Sequence, residues 1–409
     1  MPKREFVWSL FIIASVAVAQ GTERPLLNIK ASLVMEKQQF LLGEPITMIF
    51  IARYTGAASV SLSESDAYGQ CSPYHIAVDP EAPRHEPESG PPCAPLFRIR
   101  SIHCLSGGLD LATGGEVKRQ ILLNRLHDFT HPGFYVVKAT RHLSYSAFFG
   151  TVNQRTGQAS ATFTFTIVAP HTPEDIKDSF APYLADLFTG SYLSRQEAAS
   201  VIATLPVPFL EPYLLQMLST PDLKPQAIKG LYRLNTEKGR KAIFDLLKKD
   251  DSFAYDQELA LQSFQDMRDA SYGPQILALM NSHSNIDEKA KLLVAAARLD
   301  PTNTLPFIQP LLKSSNEKDR EEGVIALAAT EQPTALPILV RALADSSLRV
   351  RSAAAQGLVS LTRETPSEDG LFWSGTDPAA DAPFWSAWLR ANSESPIHPI
   401  RECHEAGRW

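Results

Sequence analysis

A spacing governs what this chain can fold into. A motif of the form Pro-x-[Leu/Ile]-x-x-apolar-apolar begins at Pro182, Pro212, Pro274, Pro306 and Pro337, with Lys241 standing in the gap, at successive separations of 30, 29, 33, 32 and 31 residues. Self-similarity at such a period marks stacked units, none of which can bury its apolar face alone. Proline inside a helix costs about 3 kcal/mol but is tolerated in the first turn, where its missing amide had no partner. The recurrence therefore predicts six helix starts, and Pro310, four residues after Pro306, predicts a kink or a restart of that helix. A second feature alternates with the first: a small residue followed by a larger apolar one, at Ser200-Val201, Gly230-Leu231, Ser263-Phe264, Ala326-Leu327 and Gly357-Leu358. Small residues let helix backbones approach closely, so each unit of about 31 residues should hold two helices.

Residues 172–363 are thus expected to form an α-solenoid of about six repeats. Thr172-Pro173-Glu174-Asp175 supplies an N-cap, an early proline and acidic residues at its first helix. The segment 364–409 reads as an interrupted cap and tail, in which Trp385 and Trp388 share one helix face and close the last repeat. Asp345-Ser-Ser-Leu-Arg-Val-Arg351-Ser-Ala-Ala-Ala-Gln-Gly-Leu-Val359 resembles the short HEAT-like repeat also seen in phycobilin lyase-type proteins. Asp345 and Arg351 match the aspartate and arginine that link adjacent repeats there. The resemblance implies that second helices line a concave side. Polar positions just after the recurrent proline, Gln216, Asp245, Gln309 and Arg341, are then the expected partner contacts.

Residues 21–170 have a different texture. Seven β-rich runs (27–35, 46–53, 59–62, 97–102, 117–123, 134–140 and 161–168) predict an antiparallel β-sandwich. In Thr162-Phe-Thr-Phe-Thr-Ile167 the phenylalanines and threonines must point to opposite faces. Leu42-Gly-Glu-Pro-Ile46 resembles a turn of exported bacterial immunoglobulin-like modules, and Gly133 and Tyr135 resemble the tyrosine corner of such sandwiches, in which the hydroxyl bonds back to upstream backbone. Seven prolines between Glu64 and Pro95 argue for a long loop or an edge excursion there. The expected fold class is multidomain: an immunoglobulin-like all-β sandwich followed by an all-α HEAT-like solenoid.

Lys3 and Arg4 precede an apolar run, Phe6 to Ala19, ending in Ala17-Val18-Ala19. Residues 1–19 read as a secretory signal, placing the protein in a secreted or periplasmic setting with no membrane span after signal removal. Export permits disulfides, and Cys71, Cys93, Cys104 and Cys403 form an even set with three complete pairings. Their spacing lacks the short separations of zinc ligands. A net charge of −6 without a long basic run argues against nucleic acid. His283 is the sole histidine from Pro182 to Leu389, the acidic pairs Asp250-Asp251 and Glu321-Glu322 fall at expected loops and helix starts, and no phosphate loop or nucleophile elbow appears. The His-Glu pairs that hold iron in HEAT-like hydroxylases of the deoxyhypusine type are represented only by His404-Glu405. These observations predict a non-enzymatic scaffold without cofactor, binding an unidentified protein or peptide. The alternative places polysaccharide binding or proteinase-inhibitor-like activity in the β domain.

Overall fold

Period-two alternation along residues 161–168 does sort the side chains: Phe163, Phe165 and Ile167 are buried while Thr164 is exposed. The computed structural model describes residues 29–56, 60–64, 74–80, 107–146, 155–248, 255–283, 285–362, 364, 366 and 377–392. The signal segment, the four cysteines, Asp250-Asp251, His404-Glu405 and the run 97–102 lie outside them. The chain divides into two compact units, one of strands and one of helices.

The first unit holds β1 (Ile29–Met35), β2 (Gln39–Leu41), β3 (Thr47–Tyr54), β4 (Val60–Glu64), β5 (Tyr74–Asp79), β6 (Gly107–Leu111), β7 (Glu116–Leu122), β8 (Gly133–Ser146) and β9 (Arg155–Val168). One antiparallel sheet runs β1-β3-β7. In the other, β8 and β9 pair antiparallel, from Gly133 opposite Ile167 to Tyr145 opposite Arg155. The far edge of β8 takes β5 and then β4, β4 continues to β6, and β2 adds parallel to β9. Residues from both sheets, including Phe50, Ile121, Val137 and Phe165, share one apolar core. The Tyr135 hydroxyl donates to the His131 carbonyl at 2.8 Å, as the corner motif requires. Gly43, at φ 91°, makes the turn after β2, and the buried Glu44 carboxylate folds back to accept from the Leu41 amide at 2.7 Å and from Lys37. β2, β5 and β6 lie outside the seven expected runs. β5 pairs with β8 alone and ends at Asp79, so Pro80 withholds no amide from its ladder.

The helices are α1 (Lys177–Thr189), whose residues from Tyr183 on open the second unit, α2 (Tyr192–Thr204), α3 (Glu211–Met217), α4 (Lys224–Leu234), α5 (Glu237–Leu247), α6 (Tyr255–Met267), α7 (Gly273–Leu279), α8 (Ile286–Leu299), α9 (Pro301–Leu312), α10 (Glu317–Ala329), α11 (Leu336–Ala342), α12 (Leu348–Thr362) and α13 (Ala382–Ala391). Hairpins α3/α4, α5/α6, α7/α8, α9/α10 and α11/α12 repeat, and their second helices, led by α2, pack in the unbroken order α2-α4-α6-α8-α10-α12. First helices meet each other far less. Every small-large pair lies in the second-helix row, where an added Cβ at Gly230 would lie 2.4 Å from Leu214 Cδ2 and 3.0 Å from Ala203 Cα, and one at Gly357 would lie 2.9 Å from Ala328 Cβ. α13 packs on α11 with Trp385 fully buried. Among the described residues no helix is long and apolar enough to cross a membrane.

The prolines do something other than start every first helix. Pro212, Pro274 and Pro337 are the second residues of α3, α7 and α11, each preceded by a 3-10 turn (Pro208–Leu210, Ala270–Tyr272, Pro333–Ala335) that carries the helix back by three residues. The absent amide falls where the tight turn gives way to α-helix, and few bonds are lost there. Pro182 and Pro306 instead stand inside α1 and α9, and Lys241 is the fifth residue of α5. The start of α9 is Pro301, with Asp300 accepting from the Asn303 amide at 3.2 Å, and that of α5 is capped by Thr236, accepting from Gly239 at 2.9 Å. α9 continues past Pro310 to Leu312 rather than restarting. At Thr172 the expected cap is present as a reciprocal capping box with Asp175, and these amide bonds hold the Asp175 carboxyl below its ordinary range. Replacing Gly230 by valine forces α2, α3 and α4 apart, and should destabilise the protein by about 2 kcal/mol, measured by urea denaturation against Gly230→Ala, which should cost less.

Candidate binding surface

The frame on which any surface is displayed is tied together by a repeated clamp. Arg320, fourth residue of α10, meets both carboxylate oxygens of Asp345 at 2.8 Å, while its Nη1 donates to the carbonyls of Ser314 and Ser315 beyond α9, each at 3.1 Å. Arg351, fourth residue of α12, repeats this with Asp377 at 2.7 and 2.6 Å and with the carbonyls of Asp345 and Ser346 at 2.7 and 3.0 Å. Arg195, fourth residue of α2, reaches Asp222 at 2.9 Å. Asp345 and Arg351 are therefore both linkers, as the resemblance implied, but with different carboxylate and guanidinium partners: Asp345 reaches back to Arg320 and Arg351 forward to Asp377. Arg320 holds the Asp345 carboxyl below its usual range, and Arg351 does the same for Asp377.

Further ion pairs join neighbouring second helices near their N-termini: Lys224 with Asp256 at 3.5 Å, Lys291 with Glu258, Lys318 with Asp287 at 2.6 Å and Arg349 with Glu321 at 2.9 Å. At the opposite ends, Asn235, Arg268 and Glu331 adopt left-handed backbone after α4, α6 and α10, at φ 51°, 51° and 50°. Arg268 forms a two-pronged pair with Glu331 at 2.9 and 3.2 Å, passing over α8, whose buried Arg298 approaches the same carboxylate at 3.5 Å. Glu321 and Glu322, expected at a helix start, lie in the second turn of α10. Glu321 engages Arg349, and burial pushes the Glu322 carboxyl up.

His283 is built into this frame. It is buried beside α8, its Nδ1 3.0 Å from Glu288 Oε2 and its Nε2 3.1 Å from the Leu247 carbonyl. A carbonyl only accepts, so Nε2 carries a proton. Both ring nitrogens are engaged inside the packing between α5 and α8. Its burial and contacts fit a structural histidine.

The expected contact residues occupy first helices: Gln216 on α3, Asp245 on α5, Gln309 on α9 and Arg341 on α11, all exposed. Their assignment to second helices is corrected by the chain order, since the proline-bearing helix leads each hairpin. Among the described residues, no hydrogen bond or ion pair joins any two of these four. Asp245 pairs along its own helix with Lys248 at 2.6 Å. At the turn shared by Gln216, Asp245 and Arg341, α7 carries Ala278 and α9 carries Pro310, with Gln309 one residue before it, so the position is polar on three of five successive first helices. The clamp residues Arg195, Asp222, Arg320 and Asp377 were not singled out from sequence. Arg320 and Arg351 stand one period apart, as do Asp345 and Asp377 within a residue, which is the signal that finds them.

Hairpins of about 31 residues, stacked through a continuous row of second helices and clamped from unit to unit, define an α-solenoid. Residues 273–359, from α7 into α12, match the family HEAT repeats. A solved structure, the complex of CpcE and CpcF of phycocyanin lyase from Nostoc sp. PCC7120, is similar over 53% of this chain and 84% of that one, at 16% identity and a TM-score of 0.28. No curated protein matches the sequence.

Two outcomes follow from the clamps and the buried pair. A depressed carboxyl stabilises the fold above its unfolded pKa and loses that contribution as pH falls through the folded value. Asp345→Asn should lower the melting midpoint by about 2–4 °C at neutral pH, a deficit that narrows below about pH 4 as the wild-type carboxyl protonates, followed by thermal melts across pH. His283→Leu takes one hydrogen-bond partner from the buried Glu288, and should cost about 3 kcal/mol. Adding Glu288→Leu should recover a large part of that in urea titrations.

Proposed function

We propose that this chain is an exported, non-catalytic scaffold that holds a protein or peptide on its solenoid. The observation that carries this proposal is the set of exposed polar residues at or beside one turn of four first helices on a braced frame, Gln216, Asp245, Gln309 and Arg341, taken as contacts. A rigid array offers spaced contacts at little ordering cost on the scaffold side. The location of His283 inside the packing supports a binding role over acid-base chemistry. For the first unit, the two facing sheets and the Tyr135-to-His131 corner support an immunoglobulin-like identity. Lys3-Arg4 and the apolar run to Ala19 support export, and export in turn supports pairing among the four cysteines.

In crosslinking from the native envelope fraction, the wild-type chain should capture a partner that Gln309→Lys combined with Arg341→Glu loses, with melting unchanged. Both residues are exposed, so the pair of substitutions leaves the frame intact. Retention of the partner by that variant, with loss on deleting residues 82–92, would place binding in the first unit instead. That deletion spares β5, whose Tyr74, Ile76 and Val78 belong to the β core.

A further inference from the structure

The second helices present a different row at their N-terminal ends. Leu193, Lys224, Tyr255, Ile286, Glu317 and Leu348 follow one another at intervals of 31 residues without exception. Leu193 is the second residue of α2, and the others are the first residues of α4, α6, α8, α10 and α12. Four of the six are large apolar side chains left in water: Leu193 is 77% exposed, Tyr255 54%, Ile286 58% and Leu348 49%. Isolated exposed apolar residues are ordinary, but a line of them at one repeat position is not a scatter. Glu317 is exposed, and Lys224 is partly exposed while holding Asp256 at 3.5 Å. The flanking charges are largely neutralised within the chain, by the pairs of Lys291 with Glu258, Lys318 with Asp287 and Arg349 with Glu321.

The order of the row is what identifies its occupant. Read from α2 to α12 it runs apolar, positive, apolar, apolar, negative, apolar. Turned end for end, it meets itself with every position matched: Leu193 against Leu348, Lys224 against Glu317, and Tyr255 against Ile286. We infer that this edge is a self-association surface, on which a second copy of the chain lies antiparallel about a two-fold axis between Tyr255 and Ile286. An isologous contact needs that self-complementarity, in which residue i meets j while j meets i. The six positions also place two symmetric ion pairs at the flanks of a central apolar patch, an arrangement that sets register. Helix N-termini facing one another would repel through their dipoles, but acidic first-turn residues offset this on both copies, among them Asp256, Asp287 and Glu317. Five helix-to-helix steps of about 9 Å and a width of about 10 Å give roughly 450 Å² on each copy. That is at the small end for a specific interface, so the dimer should dissociate at concentrations on the order of micromolar.

Sedimentation velocity on the full chain, from about 1 to 200 μM, tests this. The wild type should show a monomer–dimer equilibrium. Lys224→Glu alone and Glu317→Lys alone each set like charges opposite one another twice, and should weaken association at least about tenfold. Mixing those two single variants restores opposite charges at both contacts, and the mixture should dimerise as the wild type does. Tyr255→Glu, an exposed substitution beside the axis, should also give monomer. Circular dichroism of each variant should match the wild type; melting should match for Tyr255→Glu and Glu317→Lys, while Lys224→Glu, which sets a carboxylate against Asp256, should melt slightly lower with the fold retained. A wild type that stays monomeric throughout, single reversals that associate unchanged, or a mixture that fails to regain the dimer would each overturn the proposal.

Discussion

Between α2 and α4, and again between α10 and α12, the helix backbones come so near that a glycine is the largest residue that fits without displacement. That approach sets the remaining geometry of the array. It brings the first turn of one second helix within side-chain reach of the next, so Lys318 can meet Asp287 and Arg349 can meet Glu321. It also holds the turns inside successive hairpins close enough for one arginine to close two carbonyls of its own hairpin while grasping the aspartate of the following unit. Were the row spaced for larger side chains, the apolar filling could be recovered, but these polar links would fall short.

The period was plain in the sequence because stacking imposes the same apolar demand on each unit. The small-large pairs were equally plain, and all of them lie in the row that needs them. Helix starts were harder to read. A proline avoids cost wherever its amide has no partner, and both a first turn and the seam after a 3-10 turn satisfy that condition. Pro212, at such a seam, therefore looks like Pro301, at a first turn, until the preceding turn is known, and Pro306, inside α9, carries the same motif as Pro212. The clamps escaped notice for a different reason. Arg320 and Asp345 are 25 residues apart, less than one repeat, so the pair does not appear as a repeat of like with like. β5 was hidden by the prolines around it, although Tyr74-His-Ile-Ala-Val-Asp79 alternates inside and outside as an edge strand should. The surface row was visible as residues and misplaced as a face, since nothing in a repeated pattern says which helix of a hairpin comes first.

The two layers of the solenoid thereby divide their work. Second helices use small residues, buried alanines and ion pairs to hold one another, and the only large apolar groups they leave in water stand at their N-terminal ends. First helices touch each other little and keep their outer turns for polar side chains. A change on an outer turn can alter what is held without loosening what holds it. A change at Gly230 or Asp345 does the reverse.

The link from Arg268 to Glu331 breaks the pattern in which each unit speaks only to its neighbour. It leaps a whole hairpin, from the end of α6 to the end of α10, with Arg298 of α8 beneath it. A stack joined solely by adjacent contacts bends like a hinged rule, every joint free of the others. A strut across two joints makes them open and close together. The three hairpins under it then behave as one stiff segment, and flexing of the array is displaced to the joints on either side.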